Sequence, residues 1–303
     1  MTERTQEYFE EQKKEILAKG ERKVSMAKKL RVEFDKMKNL VLKRQWDYIS
    51  CVAGLPGAGK STFARGAAAY VCPWFNIDYI VFDAQDFIDV CNNCPEGSAI
   101  VYDECFADMN TRQTVSPDFM RIINHLQLIR KRHLFVFLCL PNFFDLSKGI
   151  AIFRTSHLFV TYATVEGDRG RVMAFSRNNK RWLYVKGSKF MNYNAQKSNF
   201  ATKFFMNKHI VDEDAYEAKK DKLLRAKDDA LQKKGTKKEK VFDKLDKSVL
   251  HMKKLGKSNK EIGKTIGFSD VSIGKRVKVL QEYGYLPQTT PKLSDIKPQT
   301  AIL

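Results

Sequence analysis

An α/β fold around a mostly parallel sheet is what this sequence predicts, and three observations carry the prediction. Gly54-Leu55-Pro56-Gly57-Ala58-Gly59-Lys60-Ser61-Thr62 is a glycine loop set between an extended apolar run and an alanine-rich segment. Ala99-Ile100-Val101-Tyr102 is a short apolar run that ends in two acids, Asp103 and Glu104. Leu134 to Leu140 is a near-continuous apolar run, the pattern of a central parallel strand buried on both faces.

The glycine loop fits G-x-x-x-x-G-K-[ST], the P-loop pattern. The motif needs a strand before it and a helix after it. Tyr48 to Ala53 supplies the first, and Phe63 to Tyr70, rich in alanine, the second. Gly54, Gly57 and Gly59 let the backbone, with Ala58, wrap a polyphosphate, and the helix N-terminus adds positive potential. Lys60 is expected to reach the β- and γ-phosphates of ATP. Ser61, followed by Thr62, is expected to ligate Mg²⁺. The acid pair divides its work in the same scheme. Asp103 holds the Mg²⁺, and Glu104 polarises the attacking water.

The remaining elements follow in order. Residues 1–45 are charged and helical, with Gly20 breaking them into two helices. Leu30, Phe34, Met37 and Val41 form one apolar stripe, expected to pack on the chain's own domain rather than on a neighbouring subunit. Ile77 to Phe82 reads as a strand or as the start of a helix running to Val90. Ser116 and Pro117 open a helix with Phe119, Ile122, Ile123, Leu126 and Ile129 on its core face, closed by Arg130-Lys131-Arg132. Asn142, after Pro141, lies at the C-terminal end of a strand, where open α/β sheets bind ligands. A short helix over 145–152, a strand from His157 to Thr164, and a hairpin of Val172–Ser176 with Trp182–Val185 complete the domain.

Beyond residue 190 the composition changes. Ala218 to Lys240 holds nine Lys and one Arg against three Asp and one Glu, which reads as a solvated helix or linker. In 241–286, Ser258-Asn259-Lys260-Glu261 is a capping box, and Gly267 ends a short helix before a third one capped by Ser269. Short helix, turn and second helix is the helix-turn-helix pattern. Ser272, Lys275, Arg276 and Val279 are expected to face outward toward DNA, away from Ile273, Val277 and Leu280. Tyr283 to Leu286 is a candidate wing. The expected divisions are 1–45 helical, 46–190 P-loop domain, 191–240 charged helical linker, 241–286 helix-turn-helix domain and 287–303 disordered tail.

The whole chain carries a net charge of +19 and a pI near 9.6, so a polyanionic partner is expected, DNA before a membrane surface. No apolar run approaches the roughly 18 residues of a membrane helix, and the N-terminus has no secretory apolar core. Six cysteines without a second paired motif beside Cys91 and Cys94 read as reduced thiols in a cytoplasmic protein.

The order P-loop, Asp103-Glu104, basic helix, Leu134–Leu140, Pro141-Asn142, Asp145-Leu146 and Arg154 resembles the zonula-occludens-toxin-like ATPases of viruses and mobile elements. These form part of the DNA-pumping branch of P-loop ATPases. The resemblance spans about a third of the chain. It implies a ring with nucleotide between subunits, and an arginine from one subunit completing the site of the next. Arg154 is the first candidate for that arginine, Arg130 or Arg132 the second. The family usually lacks an attached helix-turn-helix, which leaves a DNA loader beside a DNA pump. Two other functions stay open. A polynucleotide or small-substrate kinase would use Asp83 or Asp86 at its acceptor, and a DNA-binding regulator would use nucleotide as a switch.

Overall fold

The computed structural model describes residues 4–20, 22–103, 121–122, 124–126, 129–164, 166–205, 207, 209–282 and 286, with backbone alone at 224, 226–244, 279 and 282. Glu104, the helix start at Ser116-Pro117, Phe119, Ile123, the wing residues Tyr283 to Tyr285 and the tail from 287 lie outside the described residues. The chain divides into two units, Met1–Asp221 and Lys222–Leu303.

The first unit is built on a seven-stranded sheet. Its strands are β1 Tyr48–Ala53, β2 Ile80–Val81, β3 Ala99–Tyr102, β4 Phe135–Leu140, β5 His157–Tyr162, β6 Arg171–Phe175 and β7 Phe200–Lys203. Their spatial order is β2-β3-β4-β1-β5-β6-β7. The first five in that order run parallel, and β6 and β7 add an antiparallel edge. Every residue of β1, β3 and β4 is buried, as the uninterrupted apolar runs require.

Phe34 explains how one face is closed. It lies on α2 (Lys28–Arg44), which follows α1 (Gln6–Ala18), and the break between them contains Gly20. Leu30, Phe34, Met37 and Val41 are all buried. The Phe34 ring meets Phe63 of α3 (Lys60–Val71), Phe137 of β4 and Phe159 of β5. The stripe therefore belongs to this chain's own core, and burying one such ring contributes about 2–3 kcal/mol.

Three local expectations are corrected. The apolar run from Ile77 is neither a long strand nor a helix start. It is a 3₁₀ turn, Ile77–Tyr79, a two-residue strand β2, and then α4 (Ala84–Asn93), which begins where Asp83 caps it by accepting from the Asp86 N–H at 2.8 Å. The short helix expected over 145–152 is a 3₁₀ turn, Phe143–Asp145, followed by a π-helix, Gly149–Arg154. The hairpin expected around Arg177–Lys180 is a helix, α5 (Arg177–Gly187). Lys180, Leu183 and Gly187 point into the core at helical spacing, while Trp182 and Val185 stay exposed. Lys180 is fully buried because its ammonium donates to the carbonyls of Ala151 and Ile152 and to the Thr155 hydroxyl at the end of the π-helix. Burial pushes its pKa down to about 8. The strand beside β6 is instead β7.

The charged stretch is helical, the first of the two forms expected for it. A helix, α6, runs from Glu213 to Lys254, and its first two turns belong to the first unit. In the second unit, α7 (Asn259–Ile266) and α8 (Asp270–Glu282) follow. Val249, Ile262, Ile273 and Leu280 form a small core. Ser258 and Glu261 make the capping box in both directions. Gly263 has no room for a side chain, since a Cβ there would stand 2.4 Å from the Phe268 carbonyl oxygen.

Candidate nucleotide site

Strand β1 delivers the glycine loop to the C-terminal edge of the parallel strands, where Ala53 lies level with Leu140 of β4. The loop's conformation depends on glycine. Gly54 has φ +150°, and a Cβ there would stand 2.4 Å from the Thr161 carbonyl oxygen. Gly57 and Gly59 have φ of 76° and 88°, which L side chains adopt only with strain. Gly59 is also the N-cap of α3, and the Phe204 ring closes against it. Lys60, in the first turn of α3, donates to the Leu55 carbonyl at 3.1 Å, across the mouth of the loop.

The loop opens into a cleft of about 440 Å³. Gly57, Gly59, Lys60, Ser61 and Thr62 line it, and so does Asp103 at the end of β3. Ala58 is buried within the loop, and Gly54 forms its first bend. β4 lies between β1 and β3, so Leu140 and Pro141 form the floor between the loop and Asp103. The Asp103 side chain is almost fully buried.

Tyr216, on the first turns of α6, donates its hydroxyl to Asp103, and the same hydroxyl is within hydrogen-bonding reach of Ser61. Burial first, and then the Asp103 charge, push the Tyr216 pKa far above the usual phenol range. One hydroxyl and one carboxylate thus converge on a single point. They are hard oxygen ligands of the kind that suits Mg²⁺. Two further bonds hold this part of α6 in place. Arg65 pairs with Glu213 through both guanidinium arms, at 3.0 and 3.1 Å, and lies 4.2 Å over the Tyr216 ring. Lys219 donates to the carbonyls of Ile77 and Ile80. Among the described residues no cluster of three or more His, Cys, Asp or Glu could hold a metal ion.

The other expected site residues are not all brought here. Asn142 reaches the right edge of the sheet, but its side chain is used locally. It accepts from the Tyr193 hydroxyl at 3.1 Å and from the Phe144 N–H at 3.4 Å, and donates to Met191 Sδ at 2.8 Å. Arg154 pairs with Asp47 and donates to the Leu126 carbonyl. Asp47 precedes β1, so Arg154 sits one strand length from the glycine loop, about 20 Å for six residues. Arg130 and Arg132 precede β4 and share that far edge. None of the three serves the site of its own chain. Asp83 caps α4 and Asp86 pairs with Arg4, so both acids expected of a kinase are engaged in the scaffold. In the second unit Lys275 is exposed and Ser272 half-buried. Arg276 does not face outward as expected. It turns back to Asp246 at 3.0 Å, because that nearly buried carboxylate needs a partner.

The residues missed from sequence are Arg65, Arg169, Phe204, Glu213 and Tyr216. Arg169 lies on the β5–β6 connection and lines the cleft, with its guanidinium 3.9 Å from where a Gly57 Cβ would stand. Arg65 carries a readable signal, a lone cation inside an alanine-rich helix. Tyr216 carries none, since it lies 155 residues beyond Ser61 in a run of charges. Cys91 and Cys94 do not line the cleft. Burial pushes Cys94 up to about 12 and Cys91 well above the usual thiol range, which leaves both unreactive.

Strand, glycine loop, helix and facing carboxylate together have the arrangement of a P-loop site. No family model matches the chain, and no curated protein matches it. Similar solved structures include the genome packaging NTPase B204 of Sulfolobus turreted icosahedral virus 2 in complex with AMP. It is 12% identical with a TM-score of 0.33, over 44% of this chain and 94% of that one. The same NTPase in complex with ATP-gammaS is 13% identical at a TM-score of 0.32. The AAA domain of FIGL-1 is 11% identical with a TM-score of 0.34, over 60% of this chain and 79% of that one. No helix among the described residues is long and apolar enough to cross a membrane.

Proposed function

We propose that this chain is an Mg²⁺-dependent ATPase that moves, packages or loads DNA. The observation that carries the reading is the convergence of Ser61 and Asp103 on one point beside the glycine loop. When bound there, Mg²⁺ neutralises charge on the β- and γ-phosphates. The chain's own residues do the rest. Backbone N–H groups of 57–62 wrap the phosphates, Lys60 leaves the Leu55 carbonyl to contact them, and Arg169 approaches from the β5–β6 connection. Glu104 polarises the water. The zonula-occludens-toxin-like assignment, DNA as partner and assembly into a ring belong to the same proposal, supported by the motif order and the net charge of +19. In a ring, Arg154 must release Asp47 to reach a neighbour's phosphate. Exposed Arg130 therefore suits that role better. The second unit, read as a helix-turn-helix, offers Lys275 and Ser272 to DNA, with Arg276 bracing the domain.

ATP turnover with and without DNA tests the reading. Strong stimulation by DNA is expected. Glu104→Gln should still bind Mg·ATP and hydrolyse it slowly. Phosphoryl transfer to an added hydroxyl compound, with no release of free phosphate, would replace the ATPase by a kinase.

A further inference from the structure

Ten Lys and Arg and not one Asp or Glu lie between residues 169 and 211. In a chain with 35 acids this stretch is set apart. It forms β6, α5, β7 and their connections, at the antiparallel edge of the sheet. The inner face of α5 is spent on the core through Lys180, Leu183 and Gly187. Its outer face presents Arg181, Trp182, Lys186 and, one turn on, Lys189 and Phe190. Trp182 is 52% exposed and Phe190 75%. Their rings are paired with ammonium groups, Lys186 at 5.5 Å from the Trp182 centroid and Lys189 at 5.2 Å from that of Phe190. Phe153, 66% exposed, is joined to the start of α5 by the Arg177 guanidinium on its carbonyl.

We infer that the outer face of α5 binds single-stranded nucleic acid. Exposed rings beside cations, with no acid among them, match a ligand that offers stackable bases and phosphates together. A duplex hides the faces of its bases. A bilayer surface asks for a broad apolar face, whereas the exposed apolar residues here, Trp182, Val185 and Phe190, are interspersed with Arg181, Lys186 and Lys189. The segment also reaches the end of β4, because Met191 and Tyr193, which follow Phe190, hold the Asn142 side chain there. Choosing nucleic acid among polyanions rests on the proposed function. ATP turnover without nucleic acid is measured on every variant, so that the two readings fail separately.

The experiment uses the full chain and a fluorescein-labelled oligothymidylate, followed by anisotropy across a salt series. Arg181→Glu/Lys186→Glu/Lys189→Glu should weaken binding at least about tenfold and lower the salt slope by about two. Trp182→Ala/Phe190→Ala should weaken it about tenfold at an unchanged slope, with a smaller effect on duplex. Saturable quenching of tryptophan fluorescence should disappear in Trp182→Phe, a substitution mild enough to leave the fold intact. Unchanged affinity in the folded variants overturns the inference. So does an aromatic variant that loses duplex and single strand equally. Loss of binding to phosphatidylserine vesicles with oligothymidylate binding intact also overturns it, and assigns the face to a membrane.

Discussion

The two ends of strand β1 carry opposite designs. At its C-terminal end the backbone is bent through Gly54, Gly57 and Gly59, and Lys60 rests on a carbonyl it can leave. At its N-terminal end Arg154 is fixed between Asp47 and the Leu126 carbonyl, and His157 lies between the rings of Tyr48 and Phe159. One end keeps donors and a cation available to a ligand. The other holds its arginine, Arg154, on partners within the protein. The difference teaches that a cation's use depends on whether the fold has already given it a partner.

Four substitutions break or sharpen that contrast. Lys60→Ala should have the largest effect, lowering ATP turnover by at least about a hundredfold to a thousandfold with the fold retained. Turnover at the wild-type rate in purified protein would remove the P-loop assignment. Arg154→Ala should instead cost about 3–4 kcal/mol of stability in urea, because the Asp47 carboxylate is left nearly buried and alone. If turnover per folded molecule fell while stability held, Arg154 would be acting on a nucleotide and the contrast would fail.

His157 sharpens the far end through pH. Burial pushes its pKa down to about 4 from an ordinary 6.5, so between these values the unfolded chain binds the extra proton. Its contribution is present above pH 6.5 and is lost as pH falls toward 4, by up to about 3 kcal/mol. His157→Phe should flatten the stability profile across that window, which thermal melts at several pH values would read. An unchanged profile would assign the dependence elsewhere. The smallest effect is expected at Tyr216→Phe. Removing the hydroxyl costs about 1 kcal/mol of stability and takes away the bond that Tyr216 donates to Asp103, so Mg·ATP should bind several-fold tighter. Weaker binding would mean that the hydroxyl serves the nucleotide directly.

Much of the near end was legible in the chain. The glycine loop, Lys60, Ser61 and Asp103 lie within short, ordered motifs, because a tight turn and the strand leading to it are local structures. The stripe from Leu30 to Val41 was legible for a similar reason, since helical spacing records which face is buried. Val172 to Phe175 lies in strand β6 as read, but Trp182 to Val185 was misread. Its apolar residues suit a strand, yet the ammonium of Lys180, buried on three oxygens, favours a helix there. Nor does local pattern reveal that Arg276 turns to Asp246, 30 residues away in the chain.

The sequence by itself determined where the glycine loop bends, which strands are buried on both faces, and the strong positive charge of the chain. Tertiary structure alone decided which cations remain available and what stands over Asp103. Arg154, Arg276 and Lys180 are bound to partners that no spacing rule connects to them. Tyr216 meets Asp103 across 113 residues of chain. The physical reason is the range of the interactions. Turns and helix faces are set by neighbours a few residues apart. The partner of a buried charge is set by whichever element the packed sheet brings alongside it.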